Sequence, residues 1–243
     1  MNLIIDIGNS LAKVAVYQNN VLTEKWTVST EALSEKISEV FSNYQNIRNV
    51  IVSNVSKTSF SWPENAIRDV KLLELSPATK LPFNNMYGTP ATLGNDRKAL
   101  AAAAAKQYSS QNVLVIDAGS CVTYDLKTSK NDYLGGAISP GLKMRFRALN
   151  TFTANLPLVE QQQEFHLVGT NTVNSIVTGV QMGFVKEIDG MIDEYKAQHD
   201  NLLTIITGGD AQFLSINLKN SIFANSNFLL EGLNYILEFN ISQ

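Results

Sequence analysis

The sequence predicts an α/β fold of two similar halves, on three observations. First, Leu3-Ile4-Ile5-Asp6-Ile7-Gly8-Asn9-Ser10 and Val113-Leu114-Val115-Ile116-Asp117-Ala118-Gly119-Ser120 share one pattern, an apolar buried-type strand ending in Asp-x-Gly and small polar residues. Second, each copy is followed by another β-rich run, 11–17 and 121–126, so each reads as a hairpin with a polar tip. Third, strands alternate with helical patterns in both halves, which is the signature of layered α/β domains. The second copy starts near mid-chain, so a duplicated domain is expected, with halves 1–111 and 112–243 facing one another and Ser109-Ser110-Gln111-Asn112 as linker.

In the first half, 30–43 carries Leu33, Ile37, Val40 and Phe41 at helical spacing, and 50–55 reads as a strand. A helix over 96–108 closes this half, its alanines at 101–105 being the strongest helix formers. In the second half, Gly135-Gly136 precedes Ala137-Ile138-Ser139-Pro140-Gly141 and a helix to about residue 150. The spacing over 172–198 puts Val173, Ile176, Val177, Val180, Phe184, Ile188, Met191, Ile192 and Tyr195 on one side of a long helix. A strand over 202–207 ends in Gly208-Gly209-Asp210, and 231–239 forms a short amphipathic helix.

Composition removes several classes of function. Hydrophobic residues make up 44% and charged residues 17% of the 243, proportions that suit a self-folding globular chain. A formal net charge of -3 supplies no broad basic field, so nucleic acid is not the expected partner. Cys121 is the single cysteine and cannot form an internal disulfide. Met1 to Asp6 has no basic segment before its first carboxylate, so a cytoplasmic chain is expected. No run approaches the roughly 20 apolar residues that cross a bilayer, so no membrane partner is expected. Two histidines and one cysteine supply a zinc site poorly, and any metal should be held by oxygen.

The segment from Asp6 through Gly8, Asn9 and Ser10 to Lys13 offers a carboxylate, a glycine turn with free N–H groups, a hydroxyl and an ammonium. That set suits a metal-bound phosphate. A tight hairpin turn would use the same residues. Asp117, Gly119 and Ser120, with Thr123 and Asp125 beyond them, repeat the carboxylate and hydroxyls at the second tip. Gly208-Gly209-Asp210 is a strand-to-helix junction where a nucleotide could approach the backbone. At Gly94-Asn95-Asp96-Arg97 a loop becomes a helix. There Asp96 is a candidate acceptor for a hydroxyl proton and Arg97 a candidate carboxylate binder, although an acidic first-turn residue also fits the helix dipole. Gly179 and Gly183, four apart on the long helix, suit internal packing or a subunit interface. Lys143, Arg145 and Arg147 read as a solvated helix face, and His166 and His199 as surface or cap residues.

Taken in order, these elements resemble the type III pantothenate kinases, members of the actin, hexokinase and acetate kinase superfamily. The resemblance spans nearly the whole chain and rests on six segments. They are Asp6 to Lys13; Tyr87 with Gly94-Asn95-Asp96-Arg97; Asp117 to Ser120 with Thr123; Gly135 to Gly141; Asn171-Thr172; and Thr207-Gly208-Gly209-Asp210. It implies duplicated actin-like (ribonuclease H-like) domains facing each other across a nucleotide cleft. The implied activity is ATP-dependent phosphorylation of pantothenate to 4'-phosphopantothenate, the first step of coenzyme A synthesis. Asp6, Ile7, Gly8, Asn9, Ser10, Leu11, Ala12 and Lys13 match the ATP-phosphate loop, and Ser120 matches a nucleotide-contacting hydroxyl that is usually threonine. Asp96 matches the proton acceptor, and Tyr87, Gly94, Asn95, Asp96 and Arg97 match the pantothenate contacts. Thr172 matches a substrate contact supplied by a neighbouring subunit, which implies a homodimer with a shared site. Asp117 matches the position that binds an activating monovalent cation, K⁺ or NH₄⁺, while Asp6 is a candidate for the Mg²⁺ that accompanies ATP. Two alternatives stay open: an actin-like kinase of another small hydroxylated acid, and a non-catalytic nucleotide-binding regulator.

Overall fold

The structure is a computed structural model that describes residues 1–9, 11–54, 62 and 70–242; Ser10 and Val55 lie outside the described residues. The chain packs as two compact units, residues 1–107 together with 228–243, and residues 108–227. From the N-terminus run β1 (Asn2–Ile7), β2 (Leu11–Gln18), β3 (Val21–Ser29), α1 (Leu33–Asn43), β4 (Asn49–Asn54), β5 (Lys71–Glu74) and the two-residue β6 (Asn84–Asn85). A 3₁₀ turn, Pro90–Thr92, leads into α2 (Asn95–Gln107). Then follow β7 (Val113–Ala118), β8 (Cys121–Lys127), β9 (Asp132–Pro140), α3 (Leu142–Phe152), α4 (Thr172–Val177) and α5 (Gly183–Gln198). The last elements are β10 (Leu203–Thr207), α6 (Ala211–Asn217), β11 (Phe223–Ala224) and α7 (Phe228–Ile241).

The two units repeat one topology. In the first, an antiparallel meander β1–β2–β3 is extended by β4 parallel to β1 and β5 parallel to β4, giving the order β3-β2-β1-β4-β5. In the second, β7–β8–β9 is the meander and β10 and β11 are the parallel additions, giving β11-β10-β7-β8-β9. The β2–β3 hairpin turns on Asn19 and Asn20, both left-handed at φ 51 and 63, as a two-residue primed turn requires. β3 is half solvated and lacks an apolar run, so the sequence pattern did not reveal it.

Period-two alternation builds each core. Leu3, Ile5 and Ile7 of β1 and Ala12, Val14 and Val16 of β2 pack against Leu33, Ile37 and Val40 of α1. Leu114, Ile116, Val122 and Tyr124 pack against Phe184, Ile188 and Ile192 in the second unit. The helical pattern over 172–198 is interrupted by a π-helical turn, Thr178–Met182, and Val173 lies off the apolar stripe, 39% exposed. Within that turn Gln181 is fully buried. Its amide accepts from the Gln162 N–H at 2.8 Å and donates to the Gln162 carbonyl at 2.9 Å, pinning the preceding loop. Arg145 is not solvated as its spacing suggested: it donates to the Pro140 carbonyl, to Ser139 Oγ and, at 2.6 Å, to Glu187.

The compact units do not coincide with the halves 1–111 and 112–243, because α7 packs in the first unit. Gly232 permits this: a Cβ there would overlap the Ala99 carbonyl, so the two helices meet backbone to backbone. Asn2 Nδ2 then donates to Asn234 Oδ1 and Glu238 Oε1, Asn49 donates to Asn2 Oδ1, and Asn234 donates to Asn20 Oδ1.

At the foot of β8, Lys127 is 1% exposed and its ammonium donates to the carbonyls of Tyr108, Ser109 and Gln111. Burial lowers its pKa to about 8, so it is charged at neutral pH. Lys127→Met leaves three carbonyls without their donor and should lower stability by about 3 kcal/mol. A urea unfolding midpoint equal to wild type would show that water replaces the ammonium at no cost.

Candidate functional site

The first tip is closed by the Gly8 N–H donating to the Leu11 carbonyl at 3.0 Å. Alternation sorts its side chains. Ile7 and Ala12 are buried in the core, leaving only their backbone for a ligand, whereas Leu11 is 55% exposed. Asp6 pairs in register with Lys13 of β2 and Ser53 of β4, so these three side chains share one face of the sheet. Ser53 Oγ donates to Asp6 Oδ1 at 3.0 Å. Burial is the main cause that holds the Asp6 carboxyl above its ordinary pKa. Lys13 and the Ser53 hydrogen bond pull it down, and the charge of Asp96 pushes it up. Ser10 lies outside the described residues, and Asn9 is exposed on the turn.

Asp96 stands in the first turn of α2, where its Oδ1 accepts the Arg97 N–H at 2.8 Å. Gly94 makes room for it, since a Cβ at Gly94 would meet Asp96 Oδ1. Arg97 is 5% exposed and holds its guanidinium 5.4 Å from the Tyr87 ring centroid, a cation–π stack that fixes both residues predicted to contact substrate. Asn95 is committed elsewhere: its amide donates to the Leu75 carbonyl at 3.2 Å and accepts from Lys98 Nζ at 3.2 Å. Lys98 is 3% exposed, and burial lowers its pKa.

In the second unit Asp117 is half-buried at the end of β7, in register with Thr123 on β8 and Thr207 on β10. Gly208 has φ +94, and a Cβ there would strike both the Ala118 carbonyl and Asp117 Oδ1. Glycine is therefore required by backbone conformation and by space. Ser120 is exposed at the tip, where its carbonyl accepts the Gly141 N–H at 3.2 Å. Asp210, beyond the glycine pair, has its pKa raised by burial and partly lowered by Lys143. Thr172 begins α4, exposed, beside Asn171, whose side chain caps the helix by accepting the Asn174 N–H.

Comparison with known proteins decides the family. A family profile described as type III pantothenate kinase matches residues 2–194. A type III pantothenate kinase of Christiangramia forsetii is 52% identical, with 100% of both chains covered. One of Flavobacterium johnsoniae is 43% identical over 99% of each. The chain belongs to the type III pantothenate kinase family. Solved structures add the fold. A protein from Campylobacter jejuni described as a conserved Baf family transcriptional activator superposes with a TM-score of 0.63 at 22% identity, covering 99% of this chain and all of that one. A glucokinase from an Antarctic psychrotroph gives 0.55 at 11% identity over 98% of both. These likenesses establish the actin-like kinase fold expected from the repeated tips.

Two side chains that sequence reasoning missed touch candidate residues of this type III pantothenate kinase family member: Ser53, which donates to Asp6, and Lys98, which donates to Asn95. Ser53 is the one hydroxyl in an otherwise apolar strand core, and its role depends on β4 pairing with β1. Lys98 carried a local signal, a charge three residues after Asn95 on a helix that is otherwise alanine-rich. Among the described residues no helix is long and apolar enough to cross a membrane.

Proposed function

We propose that this chain transfers the γ-phosphate of ATP to the primary hydroxyl of pantothenate, giving 4'-phosphopantothenate, and that Asp96 receives the hydroxyl proton. The observation that carries this is the placement of Asp96 on α2 within electrostatic reach of Asp6, so that acceptor and phosphate tip lie in one neighbourhood of the first unit. Asp6, Lys13 and the turn backbone from Gly8 hold the phosphates. Lys13 and the turn N–H groups beyond Gly8, whose own N–H is taken by the Leu11 carbonyl, neutralise anionic oxygen, and Asp6 is the oxygen ligand available to Mg²⁺. A half-buried carboxylate with a raised pKa fits a divalent cation, because the cation restores the charged form that burial disfavours. A Mg²⁺ held by Asp6 would supply neutralisation of phosphate charge in a transfer that depends on positioning and charge. Arg97, locked on Tyr87, binds the pantothenate carboxylate.

In the second unit Ser120 donates to the nucleotide, and Asp117 holds the monovalent cation, K⁺ or NH₄⁺. The Asp117 carboxylate, packed under Gly208, suits a singly charged ion: among the described residues no group of three or more His, Cys, Asp and Glu side chains converges on a metal. The two halves 1–111 and 112–243 are the copies of the duplicated domain. A homodimer brings Thr172 to a partner's substrate, and Gly179 and Gly183, exposed with open space where a Cβ would stand, allow a partner backbone to approach. The enzyme works in the cytoplasm, at the entry to coenzyme A synthesis.

A coupled assay with Mg²⁺, ATP and pantothenate, with and without K⁺, tests this function. Turnover with pantothenate that rises on adding K⁺ is expected. Turnover of a sugar or another hydroxy acid with none of pantothenate would move the acceptor to the first alternative substrate class, and ATP binding with no acceptor turned over would favour the regulator.

A further inference from the structure

Residues 139–141 join the end of β9 to α3 and lie against the second tip. The Gly141 N–H donates to the Ser120 carbonyl at 3.2 Å, and a Cβ at Gly141 would overlap the carbonyl oxygens of Gly119 and Ser120. Pro140 is paired in register with Cys121, the residue that follows Ser120. The tip therefore rests on this junction without slack, and a displacement of 140–141 is passed on to Ser120.

One side chain holds the junction in turn. Arg145 of α3 donates from Nε to the Pro140 carbonyl at 2.9 Å and from Nη2 to Ser139 Oγ at 2.9 Å. The same Nη2 donates to Glu187 Oε2 on α5 at 2.6 Å, and the guanidinium carbon lies 5.1 Å from the ring centroid of Phe184, one turn earlier on that helix. Glu187 Oε1 accepts from Tyr124 Oη at 3.5 Å. A planar fork with fixed donor directions reaches a backbone carbonyl, a hydroxyl and a carboxylate together, which an ammonium on a flexible stem does not. The Arg145 and Glu187 side chains are 20% and 31% exposed, so charge attraction in this partly solvated pair contributes little, and its geometry counts for more.

We infer that Arg145 is a positioning residue for the nucleotide hydroxyl: anchored on Glu187 and Phe184 of α5, it fixes residues 139–141 and through them the place of Ser120. This rests on the reading of Ser120 as a nucleotide contact. Affinity for nucleotide thereby depends on α5, a helix with no residue in the proposed nucleotide site, while the proton acceptor Asp96 on α2 is left as it is.

The test uses the full chain and a double-mutant cycle, read as the Kd for MgATP from a nucleotide titration beside kcat and the KM for pantothenate. Arg145→Met should raise the Kd for MgATP about 10-fold, with kcat at saturating MgATP and the KM for pantothenate within about twofold of wild type. Arg145→Lys should lose the same affinity although it keeps the charge, whereas Glu187→Gln, which retains an acceptor for Nη2, should keep most of it. Ser120→Ala should weaken MgATP binding by a similar factor, and Arg145→Met on that background should add less than about twofold, because the hydroxyl it would displace is already gone. Arg145→Lys takes the place of Arg145→Met in the cycle if the methionine variant does not fold. Wild-type affinity in either Arg145 variant, or losses that multiply in full in the double variant, overturns this inference alone. Wild-type affinity in Ser120→Ala overturns it together with the Ser120 reading.

Discussion

Asp96→Asn is expected to lower kcat by at least about 100-fold while the affinity for MgATP changes little, the usual scale for removing a general base. The substitution is close to isosteric, and the amide oxygen can still accept the Arg97 N–H, so the first turn of α2 is preserved. What disappears is the carboxylate proposed to take the hydroxyl proton. The charge that raises the Asp6 pKa disappears with it, so Asp6 should ionise more readily and phosphate binding should not weaken. Single-turnover kinetics with a separate nucleotide-binding titration resolve the two effects. Near-normal turnover would remove Asp96 from its role; a collapse of MgATP binding with it would place Asp96 in the phosphate site.

Gly208→Ala is expected to abolish activation by K⁺ and to destabilise the second unit by about 2 kcal/mol, because alanine is strained at a positive φ of this size. The strain is the smaller part. The new methyl would occupy the positions of the Ala118 carbonyl and Asp117 Oδ1, so either the carboxylate swings away or the bond from the Asp210 N–H to the Ala118 carbonyl opens. Gly209→Ala is the matched control, since nothing lies within 4 Å of a Cβ there, and it should behave as wild type. Equal K⁺ activation in the two variants would show that the Asp117 carboxylate does not need the space under residue 208.

Much of this was legible in the sequence where the signal is local. The two hairpins announce themselves because a strand period ending in Asp-x-Gly is written in adjacent residues, and the repeat at mid-chain gives the fold class. Asp6, Lys13 and Asp117 therefore stand where their spacing places them. Features set by pairing between distant segments were silent. Ser53 reaches Asp6 only because β4 lies parallel to β1, and nothing near residue 53 encodes that neighbour. Asn95 looks like a ligand in its motif, yet its amide is taken up by Leu75 and Lys98. Arg145 looked solvated because helical spacing exposes it, but the Glu187 carboxylate arrives from another helix. The π-turn at Thr178–Met182 adds a residue per turn without breaking the apolar pattern, so periodicity passes over it.

The return of α7 to the first unit has a consequence for how the chain comes off the ribosome. Residues 2–107 emerge early, but their sheet face is sealed only when Gly232 reaches Ala99 and Asn2 finds Asn234 and Glu238, after the whole of residues 108–227 has been made. Contacts between residues more than 200 positions apart close late, since their loop entropy must be met first. The unit bearing Asp96 is therefore the last to close, and until α7 is made the face that it covers stays open.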